Sequence, residues 1–211
     1  LHKKIGDGRY AEVGRLAGVA ATEWSWGALI FDMDNDGRKD IFVANGIYKD
    51  LPDRDYLALT GAEDSIRKMI RDEKDVIMKL IELMPSSPVP NYAFHNQGNL
   101  KFENRSADFG LSQKMFSSGS AYGDLDNDGD LALVVNNINK TSIIYRNNTH
   151  TAIFKNITLT LSSKGQNRFA VGARATLFAK EQVFTADNFV TRGFQSSVQP
   201  RLQIALGTEV T

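Results

Sequence analysis

Asp32-Met33-Asp34-Asn35-Asp36-Gly37-Arg38-Lys39-Asp40 places carboxylates at the first, third, fifth and ninth positions of one loop, with glycine at the sixth. Alternate acidic side chains can converge their oxygens on a hard cation, and the glycine lets the backbone turn sharply between them. The seventh residue, Arg38, can add its carbonyl. The pattern returns as Asp124-Leu125-Asp126-Asn127-Asp128-Gly129-Asp130-Leu131-Ala132, beginning 92 residues later (positions 32 and 124). One such loop could be an acidic turn with no ion, since Asp, Asn and Gly are ordinary turn residues. Two in similar settings make a repeat, and carboxylates this close repel one another unless a cation neutralises them. Ala132 stands where the first loop has Asp40, so the second site is expected to be the weaker, with Asp130 compensating in part through its side chain or a water.

The flanks decide what the loops join. An EF-hand needs a bidentate carboxylate at its last position and a helix on each side. Here that position falls on Val43 and Val135. Trp26 to Phe31 leads into the first loop and Ile41 to Asn45 leads out. These short apolar runs, rich in β-branched and aromatic residues, read as strands. Ala121-Tyr122-Gly123 and Leu131 to Val135 repeat the arrangement, so each loop closes a β-hairpin. Gly27 and Gly119 occupy the same place, five residues before each first Asp. Leu29 to Asp34 also resembles the opening motif of haloacid-dehalogenase-type phosphohydrolases. That resemblance implies Asp32 as nucleophile and Asp34 as general acid/base at the end of a parallel strand. Asp36 departs from the Thr or Val usual in that family, and a duplicated nucleophile loop makes no catalytic sense.

Around the loops, the chain divides into residues 1–48, an insertion at 49–90, a second repeat at 91–148 and a tail at 149–211. In the insertion, Ile66, Met69, Ile70, Ile77, Leu80, Ile81 and Met84 form a stripe at helical spacing, which predicts one helix from about Ala62 to Met84 that packs on the adjoining sheet. Pro85, Pro88 and Pro90 end it. Asn91 to Asn96 starts the second repeat as a strand, with His95 read as a surface residue and not a ligand. In the tail, Ile157 to Leu161 alternates, and 172–178, 182–184 and 202–206 add strands. Trp24, Trp26 and Tyr48 could stack on a sugar, but packing is the expectation. Arg174 and Arg192 could bind an anion, with structural salt bridges expected instead. Sequons stand at Asn104, Asn139, Asn147 and Asn156.

Lys plus Arg and Asp plus Glu both number 25 in 211 residues, a balance that argues against nucleic acid. Without cysteine there is no disulfide and no thiolate metal site. No apolar run approaches the roughly eighteen residues of a membrane span.

The two Asp-rich hairpins resemble FG-GAP (VCBS-type) repeats, calcium-tied blades of a β-propeller. Asn167 to Arg174, Arg192 to Ser197 and Leu206-Gly207 resemble the ASPIC/UnbV module that often follows such blades in cartilage acidic protein-like and bacterial surface proteins. The resemblance implies a mainly β chain: partial β-propeller blades with a helical insertion, followed by a small antiparallel β module. It implies Ca2+ held by Asp32, Asp34, Asp36, Asp40 and the carbonyl of Arg38, and again by Asp124, Asp126, Asp128 and the carbonyl of Asp130. Without the insertion and tail, about 110 residues remain, two to three blades at roughly 40–50 residues each. That is short of the roughly four to eight a ring needs, so the chain is expected to be part of a longer protein. The expectation is a non-enzymatic, calcium-stabilised adhesion module of a secreted, cell-surface or periplasmic protein that recognises a protein or a glycan.

Overall fold

The computed structural model describes residues 1–72, 75–149, 155–180 and 182–207. The chain is mainly β, built as several small antiparallel sheets. A hairpin, β1 (His2–Gly6) with β2 (Arg9–Glu12), precedes the short helix α1 (Gly14–Ala17). Next come β3 (Ser25–Phe31) and β4 (Asp40–Asn45), joined by the first Asp loop. The insertion carries α2 (Arg54–Gly61), α3 (Glu63–Asp72) and α4 (Val76–Leu83). After it run β5 (Val89–Pro90), β6 (Tyr92–Asn96), β7 (Phe102–Asn104) and β8 (Lys114–Met115). β9 (Ser117–Gly123) and β10 (Ala132–Asn137) flank the second Asp loop, followed by β11 (Ile143–Tyr145). The C-terminal module contains β12 (Lys155–Leu159), β13 (Arg174–Ala179), β14 (Gln182–Asp187) and β15 (Leu202–Gly207).

Two sheets share the main core. The first runs β3-β4-β6-β7 and the second β11-β10-β9. Alternation on β3 turns Leu29 and Phe31 inward, where they meet Phe42, Ala44, Ala93, Leu133 and Val135. β4 is buried on both faces: Ile41 and Val43 form a second cluster with Phe94. The first sheet takes two strands from each side of the insertion, with Ile41 opposite Phe94. The shared sheet thus spans both stretches, 1–48 and 91–148. The register that pairs β4 with β6 joins stretches the insertion separates in sequence. Among the described residues the sheets form no closed ring.

The insertion departs from the single helix expected. Asp53 caps α2 by accepting from the Tyr56 N–H (2.9 Å), and Asp75 caps α4 by accepting from the Met78 N–H (3.1 Å). A second N-cap in the middle of the apolar stripe starts a new helix. The stripe does not pack on the sheet either: Ile70 and Ile77 are 62% and 71% exposed, and α4 buries no side chain.

The C-terminal module has its own small core. β12 pairs with β15 and β13 with β14, enclosing Ala186, Leu202, Ile204 and Leu206 with Leu177 and Phe184 against them. It also docks on both sheets. The turn around Phe194, closed by the Thr191–Ser197 bridge, sits over Gly27 and Gly119. Phe194 lies 4.8 Å from the Trp26 ring, and the Ser120 N–H donates to Ser196 Oγ (3.1 Å). Trp26 is thus a packing residue, as expected, and so is Tyr48, edge-on to Phe116 at 5.3 Å.

Candidate metal centres

The two loops share a backbone. The fourth residue is left-handed in both (Asn35 φ 61°, Asn127 φ 59°), and so is the sixth (Gly37 φ 89°, Gly129 φ 92°). The seventh N–H donates to the fifth carboxylate in each: Arg38 to Asp36 Oδ1 at 2.7 Å, Asp130 to Asp128 Oδ1 at 3.1 Å. These turns bring the first, third and ninth carboxylates of the first loop together, and the first, third and fifth of the second. Asn147, on the segment after β11, ties the loops together by donating to Met33 O (2.8 Å) and Leu131 O (3.4 Å).

In the first loop, carboxylate oxygens of Asp32, Asp34 and Asp40 lie within 4.8 Å of one another. Asp40 is the anchor. It is fully buried and accepts from the Met33 N–H (3.0 Å) and the Asn96 N–H (2.8 Å), so it joins the loop to β6. Asp32 Oδ2 accepts from the Gly37 N–H (2.9 Å), while its Oδ1 is buried without a partner. Asp36 belongs instead to a set with Asp34 and His95. Arg38 lies exposed, 3.8 Å from Asp36.

His95 corrects the sequence reading. It is not a surface residue but lies, 17% exposed, with Nδ1 3.2 Å from Asp34 and 3.3 Å from Asp40. The cause is the register of β6 beside β4, which carries His95 to the loop's mouth; no local signal encodes that pairing.

The second loop gathers Asp124, Asp126 and Asp128. Asp124 Oδ1 is buried and unpartnered, matching Asp32 Oδ1 in the first loop. The rest differs. Asp126 and Asp128 are exposed, and Arg146 Nε stands 3.3 Å from Asp126. Ala132 supplies none of the anchoring that Asp40 gives. Asp130 is buried and lies outside the gathered set; burial, then its hydrogen bond with Asp128, raises its pKa to about 7.

A divalent cation fits these residues on their own chemistry. An unpartnered buried carboxylate oxygen is costly, and each loop carries one at its first position. In the first loop, burial, opposed by the Gly37 N–H and aided by Asp36, pushes Asp32 up to about 7. Burial likewise raises Asp40 to about 6 and, with Asp36, raises Asp34. Such carboxyls hold protons more tightly folded than unfolded. The stability this gives is complete below the ordinary value of 3.8 and is lost as pH rises through about 6 to 7. In chelator, the melting temperature is therefore expected to fall between pH 4 and pH 7. A bound cation requires the deprotonated forms, so saturating calcium is expected to flatten or reverse that fall. Parallel melting curves with and without calcium across the range would contradict the cation assignment.

The C-terminal module lies directly on these loops. Gly37 backs onto Ala205 and Gly207 of β15, and Asn156 of β12 donates to the Gly129 carbonyl. Asn156, a sequon residue, is thereby engaged in packing. Arg174 makes the structural ion pair expected of it, to Asp187 at 2.6 and 3.0 Å.

Residues 163–211 match the family model described as ASPIC and UnbV. No curated protein matches the chain. Within the ASPIC/UnbV match lie β13, β14, β15 and the Phe194 turn. β12 precedes it, yet forms half of the ribbon with β15. No helix among the described residues is long and apolar enough to cross a membrane.

Proposed function

We propose that the chain is a non-enzymatic, calcium-stabilised binding module of a secreted, surface or periplasmic protein. Its two hairpins would be FG-GAP-type blades of a propeller, on which the ASPIC/UnbV module is seated. The observation that carries the reading is the repeated pair of orphaned buried oxygens, Asp32 Oδ1 and Asp124 Oδ1, in loops of one backbone conformation. Oxygen donors at alternate positions suit calcium, which extracellular modules hold at roughly 0.1–1 mM. The residues holding it would be Asp32, Asp34, Asp36 and Asp40 with the Arg38 carbonyl, and more weakly Asp124, Asp126 and Asp128 with the Asp130 carbonyl. The cation's role would be structural: it neutralises the loops on which the module rests.

The phosphohydrolase alternative needs Asp32 at the end of a parallel strand, whereas β3 pairs antiparallel with β4. That pairing favours the binding module.

Melting with calcium and with chelator tests the proposal. At about ten times Kd, one site adds roughly 1.4 kcal/mol, or about 3–6 °C in a chain of this size. Asp36→Ala is expected to remove most of the gain and Asp128→Ala little. No response in the parent, or magnesium-dependent phosphatase activity abolished by Asp34→Asn, would overturn the reading.

A further inference from the structure

Between the β3–β4 hairpin and the ASPIC/UnbV module lies a cavity of about 310 Å3, near the lower end for small-molecule sites. Its polar wall is under-satisfied. Gln203 on β15 has both amide atoms buried with no partner. Arg192 donates through Nη2 to Asp187 O (2.9 Å), but its Nε is buried and unpartnered. Lys39 reaches in from the end of the first loop and donates to Thr185 O (3.3 Å). Arg201, on the same wall, reaches Asn127 Oδ1 (3.2 Å).

The charge is unbalanced as well. Lys39, Arg192 and Arg201 make no ion pair among the described residues. Of the two carboxylates lining the cavity, Asp187 is held by Arg174, and Asp32 belongs to the first loop's cation set. Buried donors beside unpaired cations are what an oxyanion satisfies. A carboxamide with both ends unmet adds a second requirement. Its Nε2 needs an acceptor and its Oε1 a donor, a pair that a ligand hydroxyl group and its neighbour provide.

We propose that this seam binds one small hydroxylated carboxylate, the size of a single sugar acid, with its carboxylate on Arg192 Nε and Lys39 and its hydroxyls on Gln203. The assignment goes beyond the binding-module reading, which names no ligand. It rests on that reading only in that a cation at Asp32 removes a negative charge from the wall. The test therefore uses the full chain in millimolar calcium, with calcium-dependent melting recorded separately, so that the two failures are distinguishable. Calorimetric titration with D-glucuronate is expected to show saturable binding near one site per chain. D-glucose, lacking the charge, and sulfate, lacking the hydroxyls, should each bind about tenfold more weakly or worse. Gln203→Glu sets a like charge against the carboxylate, and Arg192→Lys keeps the charge but removes Nε. Each should weaken glucuronate binding by about tenfold or more while the calcium-dependent rise in melting temperature is kept. No saturable binding at millimolar glucuronate, equal affinity for glucose or sulfate, or unchanged binding in both variants would overturn the proposal.

Discussion

Asp40→Ala is expected to destabilise the protein by about 2–6 kcal/mol, because it strands two backbone donors at once. Asp40 is fully buried, with one oxygen taken by the Met33 N–H and the other by the Asn96 N–H. A methyl group satisfies neither, and each buried donor left unmet costs about 1–3 kcal/mol. The loss should be larger in calcium than in chelator, since the same substitution removes a carboxylate from the cation set. Asp40→Asn separates the two roles. It keeps one acceptor and the volume but gives up the charge, so its loss should be smaller in chelator and still calcium-dependent. Urea unfolding of both variants, with and without calcium, measures this. A loss under about 1 kcal/mol for Asp40→Ala in both buffers would mean the loop re-forms around other acceptors.

The same residue separates what is local in the chain from what is not. Its place as a ninth-position acid and the hairpin strands around it are legible in the sequence, because ligand spacing and strand alternation are local properties. Its second role is not local. The Asn96 N–H comes to it across 56 positions of sequence, through the pairing of β4 with β6. His95 arrives by the same pairing, and Arg146 reaches Asp126 from β11's far end. Each is a single ordinary residue whose neighbours in sequence carry no hint of its neighbours in space. The insertion is helical, as its stripe predicts, but its division into separate helices and its exposure are not legible. Its stripe has helical period, but period alone does not say whether a stripe meets a partner within the chain, and a capping Asp75 outweighed continuity.

Gly27→Ala is expected to destabilise the protein by about 1–3 kcal/mol and to loosen the C-terminal module locally. Gly27 has ordinary backbone angles, so the constraint is space and not conformation. A β-carbon there would lie 2.6 Å from the Phe194 amide nitrogen and 3.1 Å from Phe194 Cβ. The nearer atom is backbone, held in the turn that the Thr191–Ser197 bridge and the Val198 N–H to Val190 O bond (2.8 Å) close. The turn cannot yield by rotating a side chain; it must lift. Lifting gives up the Trp26–Phe194 contact and the Ser120 to Ser196 hydrogen bond together. Gly119→Ala, at the matching place on β9, should cost less. Its β-carbon meets Ser196 Oγ at 3.0 Å, a hydroxyl that can turn on one torsion, and backbone only at the Phe194 carbonyl oxygen, 3.3 Å away, against 2.6 Å to backbone at Gly27. Gly61→Ala, with nothing within 4 Å, serves as the neutral control. Limited trypsin digestion distinguishes lifting from global unfolding. Cleavage after Arg192 should accelerate in Gly27→Ala well before cleavage within the two sheets, and the effect should rank Gly27 above Gly119 above Gly61. Equal cleavage in all three would mean that the Phe194 turn does not hold the module to the first sheet. In that case the docking would rest on the β12–β15 ribbon where it lies against Gly37 and Gly129.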